Sequence, residues 1–129
     1  MTNKGALGVT NLLDNIPGIE KILTDKKVIE ENKNGWGGLS FNLNKDDRRI
    51  NHKIFLNFKD LYDVTIEDKK RDIKESLKDL YVMEVNELLT WFVKMAQNTT
   101  IFITEEYGVD DLEEDLWKII FLKYRFTKG

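Results

Sequence analysis

Cysteine is absent from the sequence, and with it go disulfides, thiolate metal sites and a cysteine nucleophile. Histidine occurs once, as His52, and serine only at positions 40 and 76. A Ser-His-Asp arrangement would have to pair His52 with Ser40 or Ser76, and nothing like a nucleophile elbow surrounds either serine. One histidine without cysteine also falls short of the usual structural zinc sets. Proline is limited to Pro17. Long apolar runs are missing: GALGV near the N-terminus is shorter than the roughly 7–15 residues of a secretory signal core. No run approaches the roughly 20 residues that span a bilayer. A cytoplasmic chain with no membrane contact is the expectation. A basic surplus is missing as well, since 20 Lys and Arg face 23 Asp and Glu for a net charge of −3. Direct nucleic-acid binding, which needs a surplus or a clear basic stripe, is not expected.

What is present is ordinary globular composition, 41% hydrophobic and 11% aromatic over 129 residues, enough for one domain with a core. Residues 1–9 are expected to be flexible, and residues 10–129 to form a single globular α+β domain. Pro17 suits the first position of a helix, and Ile19, Ile22, Leu23 and Ile29 recur at helical spacing up to Asn34-Gly35. This predicts an N-terminal helix. Leu39-Ser40-Phe41-Asn42-Leu43-Asn44 then alternates strictly, as do Ile54, Leu56 and Phe58 with Phe55, Asn57 and Lys59. An antiparallel β-hairpin over about 38–59 follows, with Lys45 to Arg49 as its loop. Thr65-Ile66-Glu67-Asp68 resembles a helix start, and Ile73, Leu77, Tyr81, Val85, Leu88, Phe92 and Met95 form one stripe. A long central helix over about 66–97 is predicted, with a kink or break near 80–84 in keeping with its length. The β-branched run 99–104 suggests a third strand, and the pattern after Asp110 a C-terminal helix to about Leu122 with an extended tail.

Candidate sites are few. Asn42, Asn44 and Asp46 alternate as in a calcium loop, but Asp47 stands at the required glycine and Lys53 at the required glutamate. Asp60, Asp63, Glu67 and Lys69 are the residue types of a metal-dependent nuclease, although an E-x-K at a helix start reads more simply as a solvated turn. Glycines around Trp36 lack the lysine and hydroxyl of a phosphate loop and read as a helix cap and connector. Trp36 itself is either a core plug or a contact anchor. Lys45, Arg48, Arg49, His52 and Lys53 form a basic patch near Phe55, offset by Asp46 and Asp47. No catalytic residue, metal site or cofactor is assigned.

Charge is distributed unevenly. Between Glu84 and Asp115 nine acids face a single base, Lys94, and seven of those acids lie in 105–115. A helix start near Asp110 accounts for two or three of them, since each is worth about 0.3–1 kcal/mol there. The remainder marks an acidic surface that would steer a basic partner. The expected partner-binding residues are Glu105, Glu106, Tyr107, Asp110, Asp111, Glu113, Glu114 and Asp115, with Trp36 as a further anchor. The expectation is a small non-enzymatic protein-binding module of the inhibitor or immunity-protein type, whose basic partner is a toxin or a nucleic-acid enzyme. Two alternatives stand beside it: an assembly protein that homo-oligomerises through the apolar half of the central helix, and a metal-dependent hydrolase.

Overall fold

Alternation of period two shapes most of the chain between Leu23 and Leu80 in the computed structural model, which describes residues 3–33, 35–45 and 47–97. Five strands follow one another there: β1 (Leu23–Ile29), β2 (Gly35–Lys45), β3 (Arg48–Asn57), β4 (Tyr62–Asp68) and β5 (Ile73–Leu80). They form one antiparallel sheet in the order β1-β2-β3-β4-β5. Helix α1 (Lys4–Asp14) precedes the sheet and α2 (Val82–Gln97) follows it. The described chain is a single small α+β domain, mostly strand.

Helix α1 begins inside the stretch 1–9 that was expected to fray. The Asn3 side chain caps it by accepting from the Ala6 N–H at 2.8 Å, and its amide donates to the Ile29 carbonyl at 2.8 Å. The helix sits close on β2, because a Cβ on Gly5 would run into the Gly37 backbone. Gly37 in turn adopts a left-handed φ of 82°, which L side chains avoid.

From β2 to β5, alternate strand residues point to the helices. Leu39, Phe41 and Leu43, Ile50, Ile54 and Leu56, then Val64, Ile66, Leu77 and Leu80 pack with Val9 and Leu13 of α1. Leu88, Leu89, Trp91 and Phe92 of α2 complete the same cluster. Full burial of one such side chain stabilises by about 1.5–3 kcal/mol. The helices thus cover one face of the sheet, and among the described residues the other face is open and polar, as antiparallel sheets allow.

The structure corrects the predicted architecture in several places. The long helix over 66–97 does not exist: its first part is β4 and β5, and α2 begins only at Val82. Ile73 and Leu77 are four apart, a step that suits a strand face as well as a helix face. Asp79, at φ 59°, then bulges β5 and makes the next inward step, to Leu80, three residues. A bulged strand therefore carried a helical spacing. Glu67 lies on a strand rather than opening a helix; Asp68 caps only a short 3-10 turn, Lys69–Arg71. The N-terminal helix predicted from Pro17 up to Asn34-Gly35 is also replaced, by a 3-10 turn (Ile19–Lys21) and the edge strand β1. Leu23 to Ile29 are mostly exposed, with a bulge at Asp25 (φ 55°), so no alternation announced the strand. The stretch 38–59 is not a separate hairpin but the middle of a meander. Its strands pair as far as Lys45↔Arg48, which leaves a shorter loop than expected. Gly35, Gly37 and Gly38 lie within β2 and are not a cap or connector. The third strand at 99–104 and the C-terminal helix lie outside the described residues.

Candidate functional site on the open face of the sheet

Strand register sets the site. On the open face, Lys27 of β1 stands beside Ser40 of β2, then Lys53 of β3, Thr65 of β4 and Ser76 of β5. The adjacent row runs Thr24, Asn42, Asn51, Glu67 and Lys74. One step further, Arg49 pairs with Asn44. Neither full row contains an apolar side chain. A groove of about 580 Å³ lies over this face, closed at one end by Asp47 and by Lys69 and Lys70 of the 3-10 turn.

The amides in the groove are held in a ladder. Asn42 donates to Asp25 at 2.9 Å, and Asn51 donates to the Asn42 side-chain oxygen at 3.0 Å and to the Ser40 hydroxyl at 3.3 Å. Lys70 pairs with Asp47 at 2.8 Å and holds that carboxyl below the usual aspartate range. Lys27, Arg49, Lys53 and Lys69, by contrast, make no ion pair with any described residue. The carboxylate in the groove that has no hydrogen-bond partner among the described residues is Glu67. Four cations held over a floor of amides and hydroxyls make a surface for carboxylate or phosphate groups.

The basic patch noted in the sequence is split by the sheet. Arg49 and Lys53 face outward with half-buried Phe55, whereas Arg48 and His52 face inward. Arg48 donates to the wholly buried Asp68 through Nε at 3.1 Å and approaches it through Nη2 at 3.0 Å. Arg71 bridges this pair to the hairpin, 3.5 Å from Asp68 and 3.6 Å from Asp47. The imidazole of His52 lies 5.5 Å from the Phe41 ring, stacked, and 4.8 Å from the Phe92 ring, edge to face. Its Nδ1 lies 3.1 Å from the Ile50 carbonyl oxygen and donates to it, which leaves Nε2 buried without a partner among the described residues. Burial lowers the His52 pKa to about 4, so the ring is neutral at pH 7.

These placements decide several candidate chemistries. Ser40 and His52 lie on opposite faces of the sheet and cannot form a catalytic pair. Asp60 and Asp63 sit at one end of β4 and Glu67 and Lys69 at the other, so the nuclease-like set is not brought together. Asp63 is instead bound to the Asn57 amide at 3.0 Å and to the Asp79 N–H at 3.0 Å. Asn42 and Asn44 of the calcium-like stretch lie on a strand, and Asn44 donates to the Ile22 carbonyl and the Thr24 hydroxyl. Most apolar residues of the half-helix proposed for homo-oligomerisation, Val85, Leu88, Leu89, Trp91, Phe92 and Val93, are buried in the chain's own core. Tyr81, Val82 and Met83 at its start are exposed.

Trp36 is not a fully buried core plug. It is half-buried at the core's margin, 5.4 Å from the Phe58 ring, with Lys4 Nζ 4.2 Å above it. The other expected partner-binding residues, Glu105, Glu106, Tyr107, Asp110, Asp111, Glu113, Glu114 and Asp115, lie outside the described residues. Composition had not pointed to the groove. Its signal was the parity of β2 and β3: once Leu39 and Ile54 point inward, Ser40, Asn42, Asn51 and Lys53 must share the other face. No helix among the described residues is long and apolar enough to cross a membrane. No protein-family model matches the chain, and comparisons with curated proteins and with solved structures return no match.

Proposed function

We propose that the protein is a non-enzymatic protein-binding module that uses the open face of its sheet. The observation that carries this reading is the set of cations that make no ion pair with any described residue, Lys27, Arg49, Lys53 and Lys69, over a polar groove that neither described helix covers. The partner surface that fits is an acidic protein segment. Sheet faces that bind single-stranded nucleic acid stack bases on aromatic side chains, and the two central rows here hold none. Asp25, Asp47 and Glu67 would also repel a continuous phosphate backbone, yet can pair with the occasional base of a protein segment. The analogy with inhibitors and immunity proteins, and a cytoplasmic setting, rest on size, charge and lack of cysteine. The seven acids in 105–115 favour a second contact, to a basic surface.

A charge-reversed full chain, Arg49→Glu with Lys53→Glu, provides the test. A stoichiometric partner captured by the native chain should be lost to this variant and released from the native chain by about 0.5 M salt, since exposed charge pairs are screened. Capture that is indifferent to both changes would refute the reading.

A further inference from the structure

The groove and the acidic stretch have opposite charge within one chain, and the proposal that follows rests on reading the groove as a carboxylate site. Lys27, Arg49, Lys53 and Lys69 make no ion pair with any described residue, and residues 105–115 contain seven acids and no base. We infer that the acidic segment 105–115 docks in the groove of its own chain and occupies the partner site until a stronger acidic ligand displaces it.

Two further observations favour this occupant. The first is reach. The described chain ends at Gln97, so Asp110 lies thirteen residues further along. At about 3.3 Å per extended residue that tether spans about 43 Å. Five strands about 4.8 Å apart make a sheet only about 20 Å wide, so the segment can round the sheet edge from the helix-covered face. The second is concentration. A tether of this length holds its segment at an effective concentration on the order of millimolar, which favours its own groove over that of another molecule. The stretch also carries Tyr107 and Leu112 among its acids, but the central rows of the groove offer no apolar pocket. Docking is therefore electrostatic, weak and displaceable, as an inhibitory segment must be.

A labelled peptide of residues 105–117 tests this by fluorescence anisotropy against the full-length protein. The full chain carrying Asp110→Asn, Asp111→Asn, Glu113→Gln, Glu114→Gln and Asp115→Asn should bind the peptide about tenfold or more tightly than the native chain, whose own segment competes. Adding Arg49→Glu and Lys53→Glu should remove binding. Equal binding by the native and neutralised chains overturns self-docking while leaving the groove as a carboxylate site. No binding by either overturns both readings. A zero-length carbodiimide cross-link on the native chain gives a second readout that needs no variant. Links from Lys27, Lys53 or Lys69 to carboxylates in 105–115 should form in monomers and persist on tenfold dilution. Their absence, or their appearance only in dimer-sized species, overturns the proposal.

Discussion

The two faces of the sheet are built from alternate residues of the same strands, yet they obey opposite rules. On the covered face Phe41, Ile54 and Ile66 are wholly removed from solvent, and the few polar groups admitted there are held by specific partners or aromatic rings. On the open face the neighbouring residues Ser40, Lys53, Thr65 and Glu67 are polar, and several of the cations make no ion pair with a described residue. Stability is concentrated on the first face because burial dominates folding free energy. Charge on the second face contributes little to stability and is free to serve recognition. Moving one residue along a strand therefore changes what a substitution does.

The largest effect should come from breaking the buried ion pair. Asp68→Ala leaves Arg48 without its carboxylate in the interior and should cost about 3–5 kcal/mol, read from urea unfolding. Gly5→Ala tests the fit of α1 on the same face. The added methyl meets the Gly37 backbone, which cannot move as a side chain would, and the loss should be about 3 kcal/mol.

His52 makes the covered face pH-sensitive. Its pKa is about 4 folded, against 6.5 for an exposed histidine, so folding favours the neutral ring. Stability should be full above pH 6.5 and fall as pH drops toward 4, by about 3 kcal/mol in all. His52→Phe, which keeps the ring between Phe41 and Phe92, should abolish that slope in the pH 4–6.5 window. If the slope persists unchanged, His52 is not its source.

The smallest stability effect belongs to the open face. Arg49→Glu and Lys53→Glu should each shift unfolding by no more than about 0.5 kcal/mol, because neither forms an ion pair with a described residue. Losses on the scale of Asp68→Ala would erase the contrast between the faces.

Parts of this arrangement were legible in the residues. The alternation in 39–44 and around 54–56 marks two strands and their apolar sides, and the same parity carried back from Ile54 puts His52 and Arg48 inside. In β4 the run Tyr62, Val64 and Ile66 alternates clearly, but a hydroxyl followed by acids imitates a helix cap. For β5 the residues are ambiguous in principle, because steps of four and three serve a bulged strand as well as a helix.

The sequence by itself determined the α+β composition, the lack of thiol chemistry, the strand character of β2 and β3 and the acidic excess in 105–115. Only the tertiary structure decided that 23–29 and 73–80 are strands, that Ser40 and His52 lie on opposite faces, and that Lys27, Arg49, Lys53 and Lys69 converge. The physical reason is where strands find their hydrogen bonds. A helix closes its own within four residues, so its pattern is local. A strand takes its bonds from a neighbour elsewhere in the chain, and the edge strand β1, with little to bury, exists as a strand because β2 is there to pair with it.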